Sequence, residues 1–224
     1  MPTIMTHAAL GWGLARAARR RGDPSNEGPD GADPLARRRE VLAIALAMLP
    51  DLDVVTFRLG IPYAHPLGHR GLSHSLLAGA VFGLAAWLLL RLLTQEDTAA
   101  PSSTAGSSPA RVGALDLLVL CLAACSHGPL DMLTGGGGLG VALLAPFDHA
   151  RLFFPIRPIP VSPIGLRYFL TSGLPVLAWE VVLLWPLAAL GWLATCQRPP
   201  RPRAAAATLV GLTLVVAWCA RLWA

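Results

Sequence analysis

The chain has 224 residues, of which 54% are hydrophobic and 14% are charged. This length allows one domain, and this composition excludes an ordinary soluble protein and favours a membrane protein. The net charge of +5 comes from arginine alone, since the chain has no lysine. The arginines lie in short loops and form no continuous basic patch, so we expect no nucleic-acid partner. We expect a single membrane-embedded domain over residues 1–224.

Two short apolar segments, residues 3–18 and 38–49, come first in the chain. Both are shorter than the roughly 20 residues that cross a bilayer. We therefore expect tilted, re-entrant or half-buried helices that pack against longer ones. The intervening Gly/Pro/Arg-rich residues and the Ser/Thr/Pro-rich residues 95–109 are predicted to be flexible loops.

Four later segments are long enough to span the bilayer. They cover residues 72–93, 112–134, 174–196 and 204–223. The second carries Asp116, His127 and Asp131, and is predicted to be a spanning helix with one polar face. The predicted fold class is therefore all-α, a polytopic membrane helix bundle with about four spanning helices plus two shorter N-terminal helices.

The connection over residues 135–172 has a different character. It opens with four glycines and continues with prolines at positions 155, 158, 160 and 163. Those prolines forbid regular helix and favour an extended run. A loop of this length in a compact protein is typical of a lid or a substrate-binding loop.

Ionisable side chains gather near the ends of the apolar segments. If the segments alternate in direction, one side of the membrane receives His7, Asp51, Asp53, His69, His74, His127, Asp131 and Glu180. Such groups are costly to bury in a bilayer and usually serve function. This pattern favours a metal site at the mouth of the helix bundle.

His127 and Asp131 are four residues apart, which places both on one helix face. Imidazole and carboxylate are ligands of zinc, and also of manganese or iron. Pro129 lies between them and is predicted to kink the helix, because it lacks a backbone donor.

Asp51 and Asp53 follow an apolar helix that should end at Leu49. Side chains two apart point in different directions, so we expect one carboxylate to be a ligand and the other to orient a histidine or to bridge to a second metal. A plain Pro-Asp turn that ends the helix is the alternative.

The run from His69 to Ser75 offers two more histidines. Ser73 is predicted to cap the next helix with His74 in its first turn, and Gly71 lets His69 fold back beside it. Ligand or acid/base roles follow for both histidines. His65 and His149 are expected to be surface residues.

Glu180 lies six residues inside an apolar helix and needs a partner there. We expect it near His127 or His74, as a ligand or general base. Arg70, Arg151 and Arg157 would be available to hold a phosphate; anchoring at the membrane interface is an equally weighted alternative.

Several runs together resemble one family, the YdjM-like inner-membrane metal-dependent hydrolases. They are Thr6-His7-Ala8, Leu49-Pro50-Asp51-Leu52-Asp53, His69-Arg70-Gly71-Leu72-Ser73-His74-Ser75, His127-Gly128-Pro129-Leu130-Asp131 and Pro146-Phe147. The resemblance covers residues 1 to about 163, and implies a bacterial inner-membrane protein with several spanning helices and hydrolase activity. The pair Gly128-Pro129 departs from the pattern, because larger aliphatic residues are expected there.

The resulting functional expectation is a membrane-bound hydrolase. A metal-activated water would attack an ester, most readily a phosphoester, of a lipid or membrane-adjacent substrate. The expected roles are metal ligands His7, Asp51, His74, His127 and Asp131; catalytic residues Asp53, His69 and Glu180; and substrate-binding residues Arg70, Arg151 and Arg157. The expected cofactor is a divalent transition metal, zinc first, with manganese or iron as alternatives. The expected partners are the lipid bilayer and a small-molecule or lipid substrate, with the oligomeric state left open.

A metal-ion or proton transporter using the same residues is the alternative function. Transporters often have internal repeats, whereas these motifs occur once each. A structural membrane protein would leave the ionisable groups without a purpose.

Arginine counts predict the orientation. Twelve arginines lie on the face away from the site and six on the site face or near the C-terminus. Basic loops are retained in the cytoplasm, so the site is expected to face the outer side of the inner membrane.

Overall fold

The computed structural model describes residues 2–18, 34–99, 112–135, 138–162, 168–186 and 188, and the elements below belong to that part of the chain. The helices in chain order are α1 (Ile4–Ala17), α2 (Pro34–Met48), α3 (Val55–Arg58), α4 (Leu76–Ala99), α5 (Ala114–Cys125), α6 (His127–Met132) and α7 (Leu174–Leu183). Two 3₁₀ turns, Leu49–Val54 and Leu72–His74, precede α3 and α4, and a π-helical turn, Phe169–Gly173, leads into α7. The chain is thus mostly helical, as predicted.

Two helical stretches are long and apolar enough to cross a membrane, Leu76–Gln95 and Ala114–Met132. They correspond to the first two of the four predicted spans. The third, residues 174–196, is described only in part and contains α7. The fourth, residues 204–223, lies outside the described residues.

α4 and α5 pack closely because small residues face each other. A Cβ added to Gly79 would lie 2.9 Å from Cys125 Sγ, and one added to Gly83 would lie 2.6 Å from Cys121 Cα. Glycines four residues apart let two membrane helices approach in this way. Both cysteines are free, while Cys196 and Cys219 lie outside the described residues.

α1 and α2 are short helices of 14 and 15 residues. At about 1.5 Å per residue they reach roughly 21–23 Å, less than the hydrocarbon thickness of about 30 Å. They pack against each other where Gly11 meets the backbone of Ala43. The apolar core lies among α1, α2, α4 and α5 and includes Ala43, Leu46, Leu90 and Leu120.

An ion pair closes the end of the bundle away from the histidines. Arg39 Nη1 lies 3.0 Å from Asp116 Oδ1, and both side chains are largely buried. Asp116 also accepts a hydrogen bond from Gly113 N at 2.8 Å, near the start of α5. The acidic residue near the start of the polar-faced helix therefore has a structural partner and lies apart from the histidines.

The predicted kink at Pro129 appears as a break between α5 and α6 at Ser126. A side chain at Gly128 would collide with the chain, since its Cβ would lie 2.5 Å from the carbonyl oxygen of His74. The departure from the family pattern therefore has a local reason: His74 approaches too closely to leave room for an aliphatic residue.

Residues 138–162 form a segment that is extended apart from a turn at residues 143–147, as the prolines predict. Two short strands, β1 (Thr134–Gly135) and β2 (Ile159–Pro160), pair in parallel. Within the segment, Ala142 N donates to the carbonyl of Arg70 at 3.0 Å, and Val141 is fully buried. The segment is thus a wall packed against the histidine-bearing run.

Candidate metal centre

Four buried side chains converge at one end of the bundle. They are Asp51, His74, His127 and Asp131, and one ligand atom from each lies within 4.8 Å of the others. The 3₁₀ turn after α2 positions Asp51, the 3₁₀ turn before α4 positions His74, and one face of α6 positions His127 and Asp131. The four-residue spacing of His127 and Asp131 therefore places both in one cluster, as predicted.

The hydrogen bond of His127 fixes which ring nitrogen faces the cluster. Its Nδ1 lies 2.7 Å from the carbonyl oxygen of Ala47, which can only accept. Nδ1 therefore carries the hydrogen, and the Nε2 lone pair points into the cluster.

His74 is oriented in the same way by Asp53. The Nδ1 of His74 lies 3.1 Å from Asp53 Oδ2. Burial alone would lower the pKa of His74, but the carboxylates of Asp131, Asp51 and Asp53 outweigh it and raise that pKa well above its usual range. Without a metal, the site therefore attracts a proton to the His74 ring.

The spacing of these atoms fits a small cation. His74 Nε2 and His127 Nε2 are 3.1 Å apart, and His127 Nε2 lies 3.3 Å from Asp51 Oδ1. His74 Nε2 lies 3.4 Å from Asp131 Oδ2. Ligands at 2.0–2.1 Å around tetrahedral zinc stand about 3.3 Å apart, so the side chains lie close to the spacing that a bound ion requires.

The carboxylates of the cluster make no hydrogen bond, although Arg70 Nε lies 3.1 Å from Asp131 Oδ2 as an ion pair. Both oxygens of Asp51 and both oxygens of Asp131 are buried without a hydrogen bond. Buried acceptors left in this way are costly. Asp51, Asp53 and Asp131 give the site three carboxylates, and the guanidinium of Arg70 pairs with one of them, so a bound cation would offset the negative charge that remains. The residues present fit such an ion.

His7 lies beside the four-residue group. Its ring stacks on that of His127 with centroids 3.8 Å apart, and its Nε2 lies 3.5 Å from Asp131 Oδ1. Neither ring nitrogen has a hydrogen bond. The fifth predicted ligand is therefore at the site, next to Oδ1 of Asp131, whereas His74 lies next to Oδ2.

Asp53 supports two histidines and a hydroxyl. His69 Nδ1 lies 2.5 Å from its Oδ1, and Ser73 Oγ donates to its Oδ2 at 2.5 Å. The 3₁₀ geometry points Asp51 into the cluster and Asp53 towards these neighbours, as the two-residue spacing suggests.

Ser73 was predicted to cap the next helix; the structure gives that position to Ser75, whose Oγ accepts from Ala78 N at 3.1 Å.

Arg70 is engaged within the protein, which corrects the prediction that it holds substrate. It is 2% exposed. Its Nε lies 3.1 Å from Asp131 Oδ2, and its Nη2 donates to Thr134 Oγ1 at 2.9 Å. Its backbone adopts the left-handed region with φ 61°, next to Gly71. Arg70 therefore positions a ligand.

Arg151 is also committed to the protein. Its guanidinium donates to four backbone carbonyls, those of His69, Gly140, Tyr63 and His65, at 3.1–3.4 Å. This corrects its predicted substrate role, because Arg151 joins the extended segment to the run from His69 to Ser75.

Arg157 is exposed and stacks over Phe153 at 4.9 Å, so it stays a candidate for substrate contact.

Glu180 faces the interior as predicted but has different neighbours. Its Oε1 accepts from Thr3 N at 2.7 Å, and its Oε2 accepts from the hydroxyls of Thr3 and Thr6 at 2.5 and 2.6 Å. These contacts hold the start of α1, one residue before His7. Glu180 thus holds α1 in place, which differs from the predicted ligand or base role.

Other parts of the site carry weaker signals in the sequence. The Ala47 carbonyl leaves no trace in residue type, and Thr134 lies after a helix where hydroxyl residues are common. His65 and His149 are exposed, as expected.

The chain is similar to known inner-membrane proteins. A family model described as YdjM inner membrane protein matches residues 1–224. The chain belongs to the YdjM inner membrane protein family. The Inner membrane protein YbcI of Escherichia coli (strain K12) is 34% identical over 191 residues, which is 83% of this chain and 91% of that relative. No solved structure matches the chain. These likenesses support an inner-membrane location for this YdjM-family protein and confirm the resemblance found from its motifs.

Asp53→Asn is expected to weaken metal binding by about 10–100-fold while leaving the fold intact, because an amide no longer fixes the Nδ1 hydrogens of His69 and His74. Competition with a chelator of known affinity measures this. Asp148→Asn in the exposed loop is the matched control. Equal affinity in the Asp53 variant and the control would remove the orienting role.

Proposed function

We propose that this protein is a membrane-bound metal-dependent hydrolase that cleaves an ester, a phosphoester first, of a membrane-associated substrate. The observation that carries the proposal is the buried group of Asp51, His74, His127 and Asp131, whose ligand atoms lie within 4.8 Å of one another and whose carboxylates make no hydrogen bond, so that the group could hold a cation. When bound there, a divalent metal, zinc first, supplies Lewis acidity that activates water and polarises the ester.

Asp53 and His69 supply the proton transfer in this proposal. Asp53 accepts the Nδ1 hydrogen of His69, which leaves Nε2 of His69 free to take a proton from water and later return it to the leaving group. The ring centroids of His69 and His74 are 5.3 Å apart, so the pair stands beside the proposed metal ligands.

The test is turnover by purified, metal-loaded protein on a panel of phosphoesters and carboxyl esters. We expect hydrolysis that a chelator abolishes, that re-added metal restores, and that His69→Gln lowers by about 10²–10⁴-fold with metal retained. Failure to cleave any ester, together with metal uptake into protein-containing vesicles, would favour the transporter.

The proposed orientation places the metal centre towards the outer side of the inner membrane, since the sequence predicts twelve arginines on the opposite face. Single cysteines at His149 and Ser103, in a background without native cysteine, are expected to differ in intact cells. An impermeant thiol reagent should label position 149 and spare position 103. The opposite pattern would reverse the orientation.

A further inference from the structure

The segments that carry the site expose large apolar side chains. We group six of these residues, from the segments that carry the site, under the name site-side apolar surface: Leu52, Val55, Leu59, Leu67, Phe147 and Ile156. Their exposed fractions lie between 52% and 85%. None belongs to the candidate spans Leu76–Gln95 and Ala114–Met132. Loops that face water rarely present so many apolar groups, and contiguous ones mark membrane or partner contacts.

This surface leads to the least buried edge of the metal centre. Leu52 lies between Asp51 and Asp53 in the chain, Ser73 is partly exposed, and the side chains of Asp53 and His69 are 8% and 1% exposed. Phe57, partly exposed, has its ring centroid 5.8 Å from that of His69 and 6.0 Å from that of Tyr63. A molecule lying on these apolar residues would therefore meet the edge formed by Asp53 and Ser73 first, with the buried His69 bonded to Asp53 behind it.

The surface also adjoins the membrane-facing part of the protein. Leu76 and Leu77 begin α4, directly after the His74 turn, and both are exposed where the candidate span starts. Exposed arginines flank the surface: Arg58 at the end of α3, and Arg157 beside Ile156. Apolar residues with flanking arginines suit the boundary where acyl chains meet phosphate headgroups.

We propose that the site-side apolar surface is immersed in the adjacent lipid leaflet and that the substrate is a lipid phosphoester drawn from that leaflet. The substrate assignment rests on the proposed hydrolase function. Its acyl chains stay in the bilayer while the headgroup reaches His69. The oxygen of water bonds to phosphorus, the bond from phosphorus to the leaving alcohol breaks, and the proton taken by His69 Nε2 passes to that alcohol. A phosphodiester and water thus give a phosphomonoester and an alcohol.

Immersion can be measured without any activity. Spin labels on single cysteines at Leu59 and Phe147, in the full chain without native cysteine and in phospholipid nanodiscs, are compared with one at Val81 on the exposed face of α4. We expect all three labels to collide more with oxygen than with a water-soluble nickel chelate. Preference for nickel at 59 and 147, or shielding from both reagents by covering protein, would overturn the proposal.

The substrate class is tested with metal-loaded protein on two kinds of probe. One is a lipid set in vesicles, of phosphatidylglycerol, phosphatidylethanolamine and a long-chain lipid monophosphate; the other is water-soluble bis(p-nitrophenyl) phosphate. We expect the double variant L59S/F147S to retain its metal content. Its rate of lipid cleavage should fall at least about tenfold, while its rate of cleavage of the soluble diester should not change. The variant Val81→Ser is the matched control and should keep both.

The outcomes separate the two proposals. Cleavage of the soluble diester without cleavage of any lipid, or an equal loss on both probes in the double variant, would overturn the lipid assignment alone. Absence of cleavage of every probe by the metal-loaded protein would overturn the hydrolase function, and the spin-label result would then decide the immersion by itself.

Discussion

Replacing His127 or Asp131 with alanine is expected to lower the metal content of purified protein by more than about tenfold. Each change removes one of four side chains whose ligand atoms lie within 4.8 Å of one another. The Asp131 variant also frees Arg70, whose Nε lies 3.1 Å from that carboxylate, so a positive charge stays in the site and opposes a cation. Elemental analysis of purified protein measures the effect.

His149→Ala is the control for metal content, because this exposed histidine lies outside the cluster. It should bind as much metal as the unaltered protein. Full metal content in both cluster variants would show that neither residue is a ligand. The metal that is found also tests the expectation of zinc against manganese and iron.

Glu180→Ala is expected to destabilise the protein by about 3 kcal/mol, because a buried carboxylate that accepts three hydrogen bonds is removed. The change leaves the hydroxyls of Thr3 and Thr6 and the backbone N–H of Thr3 without their acceptor in the interior. Thermal or denaturant unfolding in detergent measures the loss.

Glu180→Gln separates a positioning role from a catalytic one. Its carbonyl can still accept from Thr3 N, and its amide can donate to the threonine hydroxyls, so most of the stability should return. We expect this variant to keep its metal and most of its activity. A stable Gln variant that binds metal but has lost activity would restore the general-base role suggested by the sequence.

The cluster could be predicted because its physical signal is strong. Ionisable residues at the ends of apolar segments are costly, and alternating helix directions place those ends together. The spacing of Asp51 and Asp53 also predicted that only one of them faces the cluster while the other contacts a histidine, since side chains two apart diverge. Hydrophobic length likewise predicted α4 and the α5–α6 helix.

The arginines and Glu180 could not be placed in this way. The carbonyls that engage Arg151 belong to backbone, which has no signature in residue type. Thr3 and Thr6, the neutral partners of Glu180, look like ordinary small residues of α1. Arg70 was placed wrongly because its role depends on a left-handed backbone turn, and a positive φ at arginine has no sequence signal.

The four side chains of the candidate metal centre come from three distant parts of the chain, so ion binding depends on how far the fold has been assembled. Residues 51, 74 and 127 are separated by 74 − 51 = 23 and 127 − 74 = 53 positions, and the second gap contains the whole of α4 and α5. During membrane insertion the early segments arrive long before α6, and they hold only part of the coordination sphere. A complete set of donors exists only after α4 and α5 have packed together. A bound ion would therefore report that the bundle has been assembled, and a chain arrested before α6 is expected to be unable to retain it.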